Sequence, residues 1–295
     1  KLPEVDATRT LHTAFAFIVA GVGLKLALYP VHLWLPNAYT YAPSAVSAFI
    51  AATATKVAVY VLLRVLFTVF GASYSFNHMP LAPILMGLSV IGIIATSIMA
   101  LNQVDAKRLL AYSSVAQIGY MVVGLAFIST AGVTASVTHV FNHALMKGAM
   151  FLALGAVAYR VGSTRIRDIE GLGKAMPWTM SAFAIGGLSL IGIPLTAGFI
   201  SKWYLILAIL ERGWWVLALI VLATSLIAVM YVWKIVEAAW FRPLPERNAD
   251  VTEAPLGLLV PVWLLTAANI WFGIDTRWSV GIASRAADML LGVTP

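Results

Sequence analysis

Of 295 residues, 61% are hydrophobic and only 11% charged, with a mean hydropathy of +0.91, whereas a soluble domain carries about 25% charged residues. The net charge of +7 points to no nucleic-acid interface, because the basic residues form no surface run or aromatic-interleaved motif and fall in short loops or singly within apolar stretches. The lack of cysteine excludes disulfides, iron–sulfur clusters and thiolate metal sites in this chain, no phosphate-binding loop of the G-x-x-x-x-G-K-[ST] type occurs, and no cofactor is expected.

The opening "KLPEVDATRT" lacks the pattern of a signal peptide and reads as the continuation of a longer chain. Eight apolar segments follow, at 12–35, 43–70, 81–101, 109–128, 133–159, 178–210, 214–241 and 256–275. Each is long enough to cross about 30 Å of hydrocarbon as a helix. The expected architecture is therefore all-α, a polytopic transmembrane bundle of about eight spans. Prolines 36, 43, 80, 177, 243 and 255 punctuate the segment ends. Trp34, Trp178, Trp214, Trp240 and Trp278 lie near boundaries, as an aromatic belt requires. The stretch from Arg277 to Leu291 reads as a short interfacial helix.

Two segments contain breaks, the first at Pro30 in "KLALYPVHLWLP" and the sixth at Pro194 in "GIPLTAG". An interior proline removes a backbone hydrogen bond, and such breaks persist in membranes where protein or a wet cavity surrounds them. The first and sixth spans cross in opposite directions, as equivalent members of an inverted repeat do. This divides the chain into the end of a first repeat (1–70), a second five-helix repeat (81–241) and a terminal helix with its tail (256–295). Alternate loops hold Lys107, Arg108, Arg160, Arg165, Arg167, Lys174, Arg242 and Arg247 on one side, against Lys1, Arg9, Arg64, Arg212, Arg277 and Arg285 on the other. The positive-inside rule then places the 160–177 loop in the cytoplasm and both termini outside.

Ionisable groups inside the spans carry the functional signal. Lys25, Lys56, His139, His143, Lys147 and Lys202 fall within apolar segments, Lys25 and Lys56 some 20 Å from the span ends. A charged group at a helix centre costs about 2.5–3.5 kcal/mol on the insertion scale. Lys234, one turn before Glu237 near a span end, fits snorkelling or local pairing instead. In "HVFNHALMKGAMF" (139–151), His139, His143 and Lys147 recur every four residues and descend one helix face. Imidazole accepts a proton on one nitrogen and releases one from the other, so this ladder reads as a proton wire. Two histidines at this spacing can also chelate zinc, but no carboxylate or thiolate accompanies them and no metal is expected. Cations such as sodium prefer several oxygen ligands, which the ladder does not offer.

The blocks "GLKLALYPVHLWLPNAYTYAPSAVSAFIAATATKVAVYVLLR" (23–64), "DAKRLLAYSSVAQIGYM" (105–121), "HVFNHALMKGAMFLALGAV" (139–157) and "GLSLIGIPLTAGFISKWYL" (187–205) resemble the antiporter-like proton-translocating subunits. That family is shared by respiratory complex I, membrane-bound hydrogenases and Mrp-type cation/proton antiporters. The wording of 139–205 is most similar to D subunits of Mrp-type antiporters. The resemblance implies two inverted five-helix repeats, each with a broken helix. It makes Lys25 the broken-helix lysine of a first half-channel and Lys56 the lysine leading inward. His139, His143 and Lys147 become the central relay, and Lys202 the terminal group on the second broken helix. It also implies a glutamate, on a helix upstream of Lys1, as the partner of Lys25, since Glu4 and Asp6 precede the span at its outer end. The expected role is a transporter subunit exchanging Na+ or K+ for protons; the alternative is a non-redox, proton-pumping subunit of an NADH:quinone oxidoreductase or hydrogenase complex. The expected partners are other membrane subunits of such an assembly, the lipid bilayer and protons. The expected location is a bacterial plasma membrane.

Overall fold

A computed structural model describes residues 9–293; Lys1, Glu4 and Asp6 lie outside them. The helices are α1 (Arg9–Leu26), α2 (Trp34–Tyr41), α3 (Ser44–Leu63), α4 (Leu81–Leu101), α5 (Ala106–Ala126), α6 (Thr130–Val161), α7 (Leu172–Ala175), α8 (Pro177–Ile191), α9 (Ala197–Glu211), α10 (Trp215–Phe241), α11 (Leu256–Ile274) and α12 (Arg277–Leu291). A π-helical stretch, Arg64–Val69, continues α3. Among the described residues there are no strands, and the only extended pairing is an isolated antiparallel bridge between Asp105 and Arg165. Six helices are long and apolar enough to span a membrane: α3 with its extension, α4, α5, α6, α10 and α11. The pairs α1/α2 and α8/α9 are the two broken spans, in first and sixth position.

The helices are layered around α5 and α6. The run "LLAYSSVAQIGYMVVGLA" on α5 has apolar or small residues on every side, and the helix is buried all round. Packed against α6 are α3, α5, α8, α9, α11 and α12, so the helix carrying the histidine ladder is the hub of the bundle. It is longer than the sequence indicates. Ser129 accepts from the Gly132 amide at its start, and Gly162 closes it in a left-handed conformation (φ 75°).

Several boundaries differ from expectation. Asp105 caps α5 by accepting from the Arg108 amide at 3.0 Å, which draws Lys107 into the first turn. Lys107 is thus buried rather than in a loop, and its ammonium points to the Ala42 carbonyl at 3.5 Å. The first span continues past residue 35 through α2, so Pro36 sits inside a helix rather than ending one. Trp34 serves the break rather than an aromatic belt: its indole N–H donates to the Leu24 carbonyl at 2.9 Å, near the end of α1. Lys234 pairs with the Leu101 and Gln103 carbonyls at 3.2 and 2.9 Å, not with Glu237, which binds Arg242 at 3.1 Å. Glu237 first, then Glu170 at 2.8 Å, raises the pKa of Arg242. The 277–291 tail is a helix resting on α6 and on residues 64–69.

At the second break Gly192 (φ 95°) ends α8, and Leu195 (φ 70°) adopts a left-handed conformation that branched side chains rarely take. The turn brings Gly198 so close to α8 that an added Cβ would lie 1.9 Å from the Ser189 carbonyl oxygen. Backbone cannot yield there as a flexible side chain would. Gly198→Ala is expected to destabilise the bundle by about 3 kcal/mol or more. Loss of folded protein and a lowered Tm in detergent would show it; an unchanged Tm would mean the break is slack.

Candidate functional site

Polar groups converge where α3, α5, α6, α9 and α10 meet. Lys56 on α3, His139, His143 and Lys147 on α6, and Lys202 on α9 are all buried, His143 and Lys147 completely. The ammonium groups are held by backbone carbonyls. Lys56 donates to Ala51 within its own helix. Lys147 donates to the Leu110 carbonyl of α5 at 2.8 Å and to the Ser113 hydroxyl. Lys202 donates to the Leu190 and Ile191 carbonyls at 3.0 and 2.8 Å and to Ser225 at 3.0 Å. The break explains the last arrangement. Ending α8 inside the bundle leaves terminal carbonyls without helical partners, at the negative end of the helix dipole. A cation from the next segment satisfies them.

The two histidines stack with centroids 5.9 Å apart and planes 12° from parallel. His139 is held at both nitrogens: Nε2 faces the Gln117 amide oxygen at 2.9 Å, and Nδ1 faces the Ser201 hydroxyl at 2.7 Å. With the amide oxygen as acceptor, Nε2 carries the hydrogen and Nδ1 accepts from Ser201. His143 has both ring nitrogens buried without a protein partner, the condition in which an imidazole takes up bridging water. Positive charge on Lys56 acts electrostatically on His139, His143 and Lys147, and that on Lys202 acts on His139.

Several side chains in the site escaped the sequence reading. The Tyr231 side chain of α10 lies beside the Ser113 and Gln117 side chains. Ser113 and Gln117 therefore lead from Lys147 along α5 to His139, beside the imidazole stack. Tyr120 lies perpendicular to the His139 ring (6.2 Å, 90°) and turns its face to the Lys202 ammonium (5.1 Å), while its hydroxyl bonds Thr224 at 2.8 Å. Ser201 ties His139 to the residue preceding Lys202. Asn142 donates to the Ala197 carbonyl at 2.6 Å, fixing α6 to the start of α9. Polar residues clustered inside the α5 span were the available signal, but their direction needs the packed neighbours. His32, just past Pro30, is also buried, stacked on Tyr29 at 5.2 Å and edge-on to Tyr112.

Lys25 stands apart. It lies in the last turn of α1, at the first break, and is exposed on the surface of this chain. No carboxylate pairs with it among the described residues. Pro30 and Pro194 occupy the two breaks and are themselves exposed. No group of three or more His, Asp or Glu able to hold a metal ion occurs among the described residues.

The chain is 40% identical over 285 residues to NADH-quinone oxidoreductase subunit N of Desulforudis audaxviator, covering 92% of this chain and 56% of the relative. It is 30% identical over 295 residues to the D subunit of a Na(+)/H(+) antiporter of Alkalihalophilus pseudofirmus, covering 100% and 59%. A chain in the solved Mrp complex from Dietzia shares the fold with a TM-score of 0.88 at 24% identity, covering 98% of this chain and 61% of that one. The chain thus spans little more than half the length of the relatives it matches. Residues 3–228 match the family described as NADH:quinone oxidoreductase/Mrp antiporter, TM. With its multi-pass helical fold and two broken spans, the chain belongs to that family of antiporter-like membrane proteins.

Proposed function

We propose that this chain carries protons within a multi-subunit membrane complex, along a buried row of Lys56, Lys147, His143, His139 and Lys202. One observation carries the reading: five ionisable groups on three helices are buried together and act on one another electrostatically, with carbonyls and hydroxyls as their partners. Buried charge of this kind marks ion pathways. A positive charge at Lys56 disfavours others at Lys147 and the histidines, so charge passes along the row rather than accumulating in it. His139 can release its Nε2 hydrogen only after receiving one at Nδ1, from the Ser201 side, which couples α6 to the broken span. Lys25 is the entry group on this reading, meeting a carboxylate supplied by a neighbouring segment or protein that covers its exposed face.

The driving partner has two readings. Exchange of Na+ or K+ for protons is supported by the antiporter relative, aligned over this whole chain. Redox-driven pumping is supported by the higher identity to a quinone oxidoreductase relative. The test is the complex purified with its partners and reconstituted in vesicles containing a pH-sensitive dye. Proton flux evoked by a Na+ or K+ pulse supports the first; flux evoked only by an electron donor and quinone supports the second. Absence of flux under both drivers, in a complex that retains its subunits, would end the proton-carrier reading.

The orientation proposed from the basic loops puts the 160–177 loop in the cytoplasm. Ser163 is half-buried and donates to Asp168 at 2.6 Å, so the exposed Lys174 is the better labelling position. On this topology Lys174→Cys reacts with an impermeant maleimide only in opened vesicles, and Asn77→Cys, exposed in the opposite loop, reacts from outside. The native chain contributes no cysteine background. Outside labelling at position 174 would invert the assignment.

A further inference from the structure

We propose that the basic pocket formed by Arg165, Arg167 and Lys234 binds the phosphate headgroup of an anionic phospholipid. The cavity, about 420 Å³, is lined by Val104, Arg165, Ile166, Arg167 and Lys234, and stands apart from the buried relay.

Its frame is rigid. The Asp105–Arg165 bridge ties the start of α5 to the loop after α6, through the Ala106 amide to the Thr164 carbonyl and the Ile166 amide to the Val104 carbonyl, both at 2.9 Å. Thr164 adds a hydroxyl bond to Asp105 at 2.7 Å. The pocket therefore presents its cations from a fixed backbone rather than from a loose loop.

The charge balance favours an anion. Asp105 is occupied as the α5 cap and by Thr164. Asp168 accepts from Ser163 and lies 3.1 Å from Arg247, leaving only a 3.7 Å approach to Arg167. Arg165 has no ion-pair partner among the described residues. Lys234 spends its hydrogen bonds on carbonyls, which leaves its positive charge uncompensated. Three cations thus face one cavity, and the two carboxylates nearby, Asp105 and Asp168, are largely engaged elsewhere. Guanidinium groups match phosphate oxygens in geometry as well as charge.

Depth selects a lipid over a free anion. Lys234 reaches the carbonyl end of α4, so the pocket opens where the spans emerge. One turn deeper on the same two helices, Ile98 and Met230 are 48% and 55% exposed, and Val104 at the mouth is 73% exposed. Cations at the rim above exposed apolar side chains fit a headgroup phosphate above its acyl chains.

The test uses the purified complex in detergent, with phosphatidylglycerol, phosphatidylcholine and inorganic phosphate as separate probes. Arg165 and Arg167 are exposed and outside the relay, so the double substitution Arg165→Gln/Arg167→Gln leaves the bundle intact, which an unchanged Tm without added lipid would verify. Each cation near an anionic headgroup contributes about fivefold in affinity, so the preference for phosphatidylglycerol over phosphatidylcholine is expected to fall on the order of twentyfold in the double variant. The charge-conserving Arg165→Lys/Arg167→Lys variant should keep most of it. Equal lipid preference in native and Gln-substituted protein would overturn the site. Competition by millimolar inorganic phosphate as effective as that by lipid would overturn the lipid assignment in favour of a free-anion site.

Discussion

Replacing Lys147 with alanine is expected to abolish proton-coupled transport by the assembled complex while the chain still inserts and folds. The side chain is completely buried, and its ammonium is held by one carbonyl and one hydroxyl with no carboxylate. Burying that cation costs about 2.5–3.5 kcal/mol on the insertion scale, a cost the alanine variant escapes. The cavity left behind costs a similar amount, about 2–4 kcal/mol. Nor does the Leu110 carbonyl become an orphan, because the Ser113 and Ser114 hydroxyls both donate to it at 2.9 Å. Stability should therefore change little, whereas removing a positioned proton carrier slows transfer by about a hundredfold or more. Lys147→Arg is expected to fail as well, since a guanidinium keeps its proton at any physiological pH and its planar fork does not fit a site shaped for an ammonium. Vesicle proton flux, normalised to the folded protein recovered, is the measurement. Flux near the native rate in the alanine variant would remove Lys147 from the path.

What the sequence made legible follows from energetic cost. Lysine and histidine within apolar runs are expensive enough to stand out, so Lys56, His139, His143, Lys147 and Lys202 were visible, and the structure buries them together. The interior prolines at 30 and 194 were visible for the same reason, because each removes a hydrogen bond that lipid cannot replace. Ser113, Gln117, Ser201 and Tyr231 were not, since hydroxyl and amide side chains are tolerated inside helix bundles and reveal their role only through the helix they face. Likewise Trp34 and Lys234 carried the composition of interfacial residues, and only the packed structure shows the carbonyls they satisfy. Pro261, inside α11, left no break at all. Lys25 shows the converse: its position in the sequence indicated depth, but exposure depends on what covers α1.

Loss of His143 alone is expected to slow transport only severalfold, and loss of both His143 and the Tyr231 hydroxyl to slow it about as much as loss of Lys147. The reason is that two routes join Lys147 to His139. One passes through the His143 ring, stacked on His139 with both nitrogens free for water. The other runs along α5 from Ser113, which accepts from Lys147, to Gln117, which accepts from Nε2 of His139, with the Tyr231 hydroxyl beside both. Parallel routes add their rates, so closing either leaves the other carrying flux. His143→Ala removes the first, and Tyr231→Phe removes only a hydroxyl from the second while the buried ring keeps its packing. Each single variant should therefore retain a measurable fraction of native flux. Combining them should remove about a further tenfold or more beyond the product of the single effects, a coupling that independent sites do not show. Complete loss in His143→Ala alone would mean that the imidazole is the sole carrier and that Ser113, Tyr231 and Gln117 merely hold His139 in place.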